Sequence, residues 1–304
     1  MKLNFRKFSI FLVGILCLSC SLHALSDNPP PEDKTDIADS SWTFVGVASN
    51  EENERYYYYF QLIQQARMRT VQVLLVDAQN KNKQEYFLKE EKSAPETLSS
   101  LQAGRAFLRF NAINNSWIFG LKNKNGEGFN FRVELLKQSE EADNEKDIAK
   151  GVHLEVTNIR RMNGHVRWGK NKKEEFVTAD QNWYRNIVVQ DAKVFHSTIQ
   201  GVFCFLNDGA RFYSVKLPLE KAKSASEIRW WDPEGKSRRV SQFLQQKVMD
   251  GKILLSLKVP AIRLTVEDLL WQPSPANILQ AGFVSTADKS SGFCFIDQMD
   301  FNIS

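Results

Sequence analysis

Asp180, Trp183 and Tyr213 are the residues whose types and spacing could support chemistry in this chain. A carboxyl group in an apolar pocket has its charged form disfavoured, so Asp180 would stay protonated near neutral pH and could deliver a proton to a double bond. The ring face of Trp183 would stabilise the resulting carbocation, and the Tyr213 hydroxyl would orient a water or a ligand hydroxyl. The predicted chemistry is acid-assisted hydration or isomerisation of an apolar substrate.

Each of these three residues also has an ordinary structural role. A lone Asp in a polar stretch commonly caps a turn, Trp183 suits a packed core, and Tyr213 suits a barrel wall with its hydroxyl bonded. Three further residues are candidates for contact with a ligand: His196, Trp230 and Trp231.

Neither a metal nor a cofactor is expected. The spacing of His153, His165 and His196 matches no metal motif, and no C-x-x-C pair follows the N-terminal segment. No glycine-rich phosphate loop is present either. Any catalysis would therefore depend on side chains alone.

The elements that must position these residues are predicted to be strands. Apolar residues recur at every second position in Phe129–Leu135 and Ile253–Val259, which is typical of strands with one buried face. Asn207-Asp208-Gly209 predicts a hairpin turn, because such turns need positive φ. Residues 95–102 and 241–249 are predicted to form short helices. The expected fold class is all-β with a few short helices.

Two other segments have a predicted place in this architecture. Tyr56–Tyr59 must alternate sides in a strand, so core packing of one pair and exposure of the other is expected. Ser139–Lys150 is acidic, polar and without a period, which predicts a surface loop or a linker.

The N-terminal residues 1–24 are typical of a secretory signal. Lys2, Arg6 and Lys7 precede Phe8–Leu18, an apolar run of about eleven residues that is too short to span a membrane. The sequence therefore predicts export, to the periplasm or cell envelope of a bacterium or to the exterior.

Two cleavage sites remain open after this signal. Leu18-Ser19-Cys20 is similar to a bacterial lipoprotein site, which would leave Cys20 acylated, whereas ordinary cleavage would follow Ser21 or Ala24. Residues 25–40 are polar and rich in proline, and are predicted to be a flexible tether. The only membrane contact expected is this N-terminal lipid anchor.

The charge balance argues against nucleic acid as a partner. Removal of Lys2, Arg6 and Lys7 with the signal lowers the formal charge from +4 to about +1. A chain with so small a net charge has no general basic field to attract phosphates. The oligomeric state does not follow from the sequence.

Cys204 and Cys294 are the two cysteines beyond the signal, and each lies in a Gly-aromatic-Cys-aromatic context. In an oxidising compartment two such thiols can pair if neighbouring strands bring them together. Two buried free thiols acting as small apolar side chains are the alternative.

The order of several short motifs resembles the lipocalin-like superfamily that includes the AttH-type proteins and the carotenoid 1,2-hydratases. Asp180-Gln181-Asn182-Trp183 is similar to that family's Asp–His/Arg–Glu/Gln–Trp signature near the start of its second barrel. The other similar segments are the strand pair Trp42–Gly46 and Arg55–Phe60, the hairpin Phe203–Tyr213, the strand and turn Trp230–Gly235, and the closing strand Gly292–Asp297.

The resemblance implies two tandem calycin-like barrels, the first over residues 41–170 and the second over residues 171–304. Because an aromatic-lined barrel can enclose an apolar molecule, we expect a ligand of the lipid or isoprenoid class. Catalysis on that ligand would be of the hydratase or isomerase type. The alternative is a non-catalytic envelope or adhesion protein whose β-domains contact glycans or proteins.

Overall fold

The computed structural model describes residues 39–301 with short gaps. Those gaps are 66–67, 81–83, 93–99, 123–125, 136–144, 160, 168–172, 191–197, 219–223, 241–243, 259, 274–276 and 287–290. The predicted signal, the lipidation candidate Cys20, most of the predicted tether and His196 therefore lie outside the described residues.

Every regular element among the described residues is a β-strand, and every pairing between strands is antiparallel. The strands are β1 (Asp39–Ser49), β2 (Arg55–Gln65), β3 (Met68–Asp77), β4 (Gln84–Lys92), β5 (Ser100–Ala103), β6 (Ala106–Asn111), β7 (Ser116–Lys122), β8 (Gly128–Glu134), β9 (Glu145–Ala149), β10 (Val152–Ile159), β11 (Met162–Arg167), β12 (Glu174–Val189), β13 (Thr198–Leu206), β14 (Arg211–Pro218), β15 (Ser224–Trp231), β16 (Ser237–Arg239), β17 (Gln245–Met249), β18 (Lys252–Leu257), β19 (Ile262–Pro273), β20 (Asn277–Thr286) and β21 (Ser291–Asp300).

The all-β prediction is confirmed, but the predicted short helices are wrong where the structure describes them. Residues 100–102 lie in β5, whose side chains alternate between exposed and buried. Residues 245–249 form β17, which pairs with β18. Short segments of mixed polarity do not distinguish a helix from a strand, and here pairing with a neighbour decides. Within the described part of the chain, no helix could serve as a membrane span.

The first sheet has twelve strands and curls around its own core. Its order is β4-β3-β2-β1-β12-β11-β8-β7-β6-β5, with β10 beside β12 and β9 beside β10. The rings of Phe44 in β1 and Phe119 in β7 stack at 4.4 Å although three strands separate them in the sheet, so the sheet must be strongly curved. At the two ends, Arg105 contacts Glu85 of β4 at 3.6 Å and lies over the Phe87 ring.

The second sheet has nine strands in the order β16-β15-β14-β13-β21-β20-β19-β18-β17. Ile228 of β15 and Leu257 of β18 share one buried cluster, which requires this sheet to curl as well. Cys204 and Cys294 face each other in β13 and β21, inside the second core, and are joined by a disulfide.

A third apolar cluster, which we call the inter-sheet layer, joins the outer faces of the two sheets. It contains Tyr57, Tyr59 and Trp183 from the first sheet and Phe293 and Phe295 from the second, among others. Tyr57 stacks on Phe293 with 4.5 Å between ring centroids, and Tyr59 stacks on Phe295 at 5.6 Å. Strands such as β2 and β12 are therefore buried on both faces.

This double burial corrects the prediction for Tyr56–Tyr59. Tyr56 and Tyr58 face the first barrel's core, Tyr57 and Tyr59 face the inter-sheet layer, and none of the four is more than 3% exposed. No pair is left for solvent, because the second sheet covers the outer face of β2.

Three predicted boundaries shift. β12, placed by the sequence at the start of the second barrel, pairs with β1, β10 and β11 of the first sheet, so sheet membership changes between Val189 and Thr198. Asp39 and Ser40, predicted as tether, are buried in β1. Residues 145–149, predicted as loop, form β9, which pairs with β10. The division into two domains itself stays a prediction.

Candidate functional site

Strand β12 carries most of the predicted site, and its alternation divides those residues between two environments. Asn182 faces the first barrel's core, where its side chain accepts a hydrogen bond from the Tyr58 hydroxyl at 2.7 Å and donates to the Ile159 carbonyl at 3.4 Å. Gln181, Trp183 and Arg185 point the opposite way, as the period of a strand requires. In this segment, Asn182 therefore packs in the core of the first barrel, whereas Gln181 and Trp183 face the inter-sheet layer.

The structure brings three of the predicted residues together in that layer. Trp183 lies edge-on to Trp231 at 4.5 Å and to Tyr213 at 5.0 Å between ring centroids. All three are buried. Such edge-to-face pairs add about 0.5–1.5 kcal/mol beyond the area that they bury. We call Trp183, Tyr213 and Trp231 the aromatic triad.

The remaining candidates do not join the triad. Trp230 points to the other face of β15, where it stacks on Phe212 at 5.8 Å and borders the second barrel's core. Asp180 lies in β12, but its side chain and all of His196 are outside the described residues. The roles predicted for Asp180 and His196 stay predictions.

Beside the triad lie three buried polar atoms without a hydrogen-bond partner in the described structure. They are the Trp183 indole Nε1, the Asn158 amide oxygen and the Gln181 amide oxygen. Asn158 pairs directly with Trp183 across β10 and β12, and Gln181 is two residues away on the same face of β12. Buried polar groups are nearly always bonded, so each such atom calls for a missing partner. One donor and two acceptors therefore lie on this face of β10 and β12.

A buried ion pair lies next along β12. The Arg185 guanidinium donates through Nη1 to Asp297 Oδ1 at 3.0 Å and through Nη2 to Asp297 Oδ2, and both side chains are 0% exposed. Arg185 also donates to Thr43 Oγ1 at 3.0 Å, and its guanidinium lies 5.1 Å from the centroid of the Phe203 ring. The bidentate geometry and the extra bond offset the large desolvation penalty of two buried charges.

The ion pair controls the protonation of its neighbours. Burial lowers the pKa of Arg185 more than any other single cause, but the charge and hydrogen bonds of Asp297, together with Tyr59, outweigh it and raise that pKa above its ordinary value. Burial raises the pKa of Tyr59 well above its ordinary value, and the charge of Asp297 raises it further. Tyr59 therefore stays neutral and donates its hydroxyl proton to Asp297 Oδ2 at 2.6 Å.

A row of amides extends this network away from the triad. Asn277 of β20 donates to the amide oxygens of Gln61 in β2 and Gln72 in β3, and Gln61 donates to Thr43 Oγ1 at 3.2 Å. The two bonds from Asn277 cross between the sheets, so they fix the register of one sheet against the other. Polar groups that specify a packing arrangement in this way do so even where they add little stability.

Sequence reasoning missed the Arg185–Asp297 pair and its surroundings. Two signals were present. Arg185 interrupts the apolar outer face of β12, and Gly201 interrupts the long apolar strand β13, where a glycine indicates a close approach. A Cβ on Gly201 would lie 2.1 Å from both Arg185 Nη1 and Asp297 Oδ1, so only glycine leaves room for the pair.

The described part of the chain has no group of three or more His, Cys, Asp and Glu side chains arranged to hold a metal.

Comparison with known proteins bears on the fold. No protein-family model matches the sequence, and no curated protein matches it either. Among solved structures, the chain is similar to a protein of Nitrosomonas europaea proposed to be an AttH, with a TM-score of 0.57 and 8% identity over 88% of this chain and 94% of that one.

It is also similar to kievitone hydratase from Nectria haematococca, with a TM-score of 0.58 and 8% identity over 87% of this chain and 90% of that one. Likeness at this identity concerns the fold alone. It nevertheless extends through both sheets, since it spans most of each chain. This protein therefore has the lipocalin-like two-barrel fold that its motifs predicted.

Proposed function

We propose that this protein is exported and binds a small, largely apolar molecule with a polar group, held between the two sheets against Trp183. The observation that carries the proposal is the set of three unpartnered buried atoms beside the aromatic triad: Trp183 Nε1, Asn158 Oδ1 and Gln181 Oε1. A buried group left without a bond loses about 1–3 kcal/mol, so an occupant that bonded these atoms would regain that energy.

The chemistry of the atoms suggests the polar group. A hydroxyl both accepts and donates, so one hydroxyl could accept from Trp183 Nε1 and donate to the Asn158 oxygen directly opposite. The rings of Tyr213 and Trp231 would contact the apolar body of the molecule. A hydroxylated lipid or isoprenoid combines both features. Gln181 is only half-buried, so this end of the layer lies near the surface.

This site differs from the chamber expected inside each barrel. Among the described residues, the centre of the first barrel is filled by side chains such as Phe44, Phe60, Phe119 and Phe131, all 0% exposed. The second core is likewise filled around the Cys204–Cys294 disulfide. A ligand in either core would have to displace packed rings, whereas a ligand near Trp183 would bond groups that now lack partners.

Export is supported by two independent features. The N-terminal 24 residues have the pattern of a secretory signal, and the disulfide is of a kind that persists in oxidising compartments. We place the protein in the periplasm or cell envelope of a bacterium, anchored through Cys20 or released after ordinary cleavage.

Catalysis is a separable part of the proposal. If the ligand is a substrate, Asp180 would be the acid and Tyr213 would orient the water or hydroxyl in an acid-assisted hydration or isomerisation. The name of kievitone hydratase, which has a similar fold, makes hydration the first reaction to assay. Asp180→Asn should then abolish turnover and leave the far-ultraviolet circular dichroism spectrum unchanged. Unchanged turnover would remove the enzymatic part and leave binding intact.

Native mass spectrometry of the protein purified from its own cell envelope tests the binding proposal. We expect a co-purified apolar molecule with at least one hydroxyl. When that molecule is extracted and titrated back, Trp183→Phe should weaken its binding about two- to tenfold, the effect of losing one hydrogen bond while keeping a ring.

Trp117→Phe is the matched control, since Trp117 is a buried tryptophan of the first barrel's core. It should leave the affinity unchanged. Absence of any bound small molecule, or equal effects of the two substitutions, would contradict the proposal.

A further inference from the structure

An open groove lies on the outer face of the first barrel, across strands β6, β7, β8 and β11. Its volume is about 910 Å³. The groove shares no residue with the inter-sheet layer, so a ligand bound in it would be independent of one held against Trp183.

A single row of residues paired across five strands crosses the groove and continues past it onto β12. Phe107, Gly120, Asn130, His165 and Phe176 are consecutive partners in the register of β6, β7, β8, β11 and β12. Phe107, Asn130 and His165 of this row line the groove, whereas Phe176 lies beyond the lining residues. At a strand spacing of ~4.8 Å, four spacings make the row roughly 19 Å long. An elongated ligand lying along the row would therefore cross the groove from β6 to β11.

The rings at the two ends of this row differ in exposure. Phe107 is half-buried, with the Arg109 guanidinium 5.6 Å from its ring centroid, whereas Phe176 is exposed. Phe107 lies across Gly120, where a Cβ would come within 2.9 Å of the ring, so the glycine lets the ring lie close to the sheet. Phe176 is 49% exposed, and its ring meets His165 edge-on at 5.5 Å. Exposed aromatic rings at a groove are typical of ligand contact rather than of core packing.

Cations flank the row on both sides. Lys122 and Arg167 lie on one side, each opposite Gly128 in the register, and Arg109 lies on the other side, two residues beyond Phe107. Arg105, whose carbonyl accepts from the Lys122 amide, lies on the same side as Lys122 and contacts Glu85 at 3.6 Å. Glu174, the one acidic residue lining the groove, is the register partner of Arg167. The groove is thus locally basic in a chain whose net charge is only +4 with its signal.

We propose that this groove binds an acidic oligosaccharide, a chain of uronic acid residues. Sugar rings present C–H faces that stack on Phe107 and Phe176, and the Asn130 amide can bond ring hydroxyls. Arg guanidinium groups match carboxylates in a planar, bidentate geometry. In a β-1,4-linked chain, consecutive rings alternate in orientation and place their carboxylates on alternate edges, which suits cations on both sides of the row.

The arrangement favours a glycan over a single-stranded nucleic acid. A nucleic acid strand has its phosphates along one edge, and its binding grooves follow that backbone with one line of positive charge. Here Arg105, Lys122 and Arg167 lie on one side of the row, and Arg109, whose guanidinium lies 5.6 Å from the centroid of the Phe107 ring, lies on the other. A ligand with charge on one edge would leave one of these sides unused.

Isothermal titration of the full-length mature protein with three oligomers of matched length tests the assignment. The oligomers are pentamannuronate, the neutral cellopentaose, which has the same linkage, and pentathymidylate. We expect pentamannuronate to bind, to bind more weakly as salt rises, and to bind more tightly than either of the other two. Arg109→Glu and Lys122→Glu should each weaken it about five- to tenfold, since both side chains are exposed and their reversal leaves the core intact.

Lys247→Glu is the matched control, because Lys247 is an exposed lysine on β17 of the other sheet. It should leave binding unchanged. Equal binding of cellopentaose would show that the cations are not used, tighter binding of pentathymidylate would assign the groove to nucleic acid, and absence of binding by all three would remove the site. Each of these results overturns the proposal, as does an equal loss in Lys247→Glu.

Discussion

The core of the first barrel and the inter-sheet layer are built from the two faces of the same strands, yet they differ in their polar groups. In the core, the Tyr58 hydroxyl and the Asn182 amide form a neutral hydrogen bond among packed rings. In the layer, the corresponding tyrosine, Tyr59, bonds to a charged pair, Arg185 and Asp297. The layer also contains the Trp183 indole nitrogen, which has no hydrogen-bond partner in the described structure.

This difference shows where function can reside in such a fold. A filled core whose polar groups bond to one another has no donor or acceptor available to a ligand. A layer with unpaired donors and acceptors can form hydrogen bonds with one. The ion pair holds the two sheets in register beside the triad. We infer that the first barrel's core supplies stability, and that the layer supplies both the alignment of the sheets and the candidate site.

The largest expected effect comes from breaking the ion pair. Arg185→Met alone or Asp297→Leu alone leaves one buried charge uncompensated and should destabilise the protein by about 3–5 kcal/mol. The double variant should recover most of that loss, since a buried ion pair replaced by apolar groups is often neutral. Urea unfolding measures all three.

The matched test in the core is Phe119→Ala, a cavity substitution that should also lower the unfolding free energy by about 3–5 kcal/mol. Combining it with Asp297→Leu should give additive losses, because Phe119 lies in the core of the first barrel whereas Asp297 bonds to Arg185 and Tyr59 between the sheets. A double Arg185/Asp297 variant as unstable as either single variant would contradict the account of the pair.

A smaller effect is expected from filling the two close glycine contacts. Gly201→Ala would press on Arg185 and Asp297, and Gly46→Ala would press on Asn182 and Tyr58, so each should destabilise by about 1–3 kcal/mol. In the background without the ion pair, the loss from Gly201→Ala should shrink, while that from Gly46→Ala should not. A double-mutant cycle by urea unfolding measures this coupling. If no coupling is found, a glycine at position 201 is not required to make room for the ion pair.

Removal of single hydroxyls should lower the stability of the protein by different amounts in the two regions. Tyr59→Phe removes a hydrogen bond to a charged acceptor, for which about 1.5–3 kcal/mol is typical, whereas Tyr58→Phe removes a neutral bond, for which about 0.5–1.5 kcal/mol is typical. Thermal unfolding of the two variants compares them directly. Equal losses would mean that Asp297 is satisfied by Arg185 without help from Tyr59.

A further effect is expected on the pH dependence of stability. Burial raises the pKa of Tyr58 and of Tyr59 in the folded state, so both are neutral there while unfolded tyrosine ionises near pH 10. The stability that they contribute is complete below about pH 10 and is lost as the pH rises through the folded-state values.

Each tyrosine should contribute up to about 1.4 kcal/mol per pH unit to this decline. Tyr58→Phe and Tyr59→Phe should therefore each flatten the dependence of the unfolding free energy on pH between about pH 10 and 12. Urea unfolding at a series of alkaline pH values measures the slope, and an unchanged slope in both variants would contradict the assignment.

Period-two patterning and turn residues predicted the strands because both act locally. The two-barrel arrangement was implied by the resemblance of several short motifs to the lipocalin-like superfamily. The sequence did not predict that Tyr57 and Trp183 would meet a second sheet, since an apolar residue looks the same in a barrel core and in a contact between barrels. β12 was assigned to the wrong sheet for a related reason: the residues of a long strand do not reveal its hydrogen-bond partners.

The site was predicted in part. Trp183, Tyr213 and Trp231 were named from their types, and the structure brings them together, but the sequence could not separate Trp230 from Trp231 without the phase of β15. Asn158 and Asp297 were missed because their importance arises from partners far along the chain, Trp183 and Arg185.

The indole N–H resonances of Trp183 and Trp117 give the most direct test of the central claim. In ¹⁵N-labelled protein, assigned by Trp183→Phe and Trp117→Phe, the Trp183 signal should shift downfield when the envelope-derived ligand is added, because its nitrogen gains an acceptor. The Trp117 signal, from the first barrel's core, should stay in place. A shift of Trp117 with Trp183 unmoved would put the ligand inside the barrel and contradict the account.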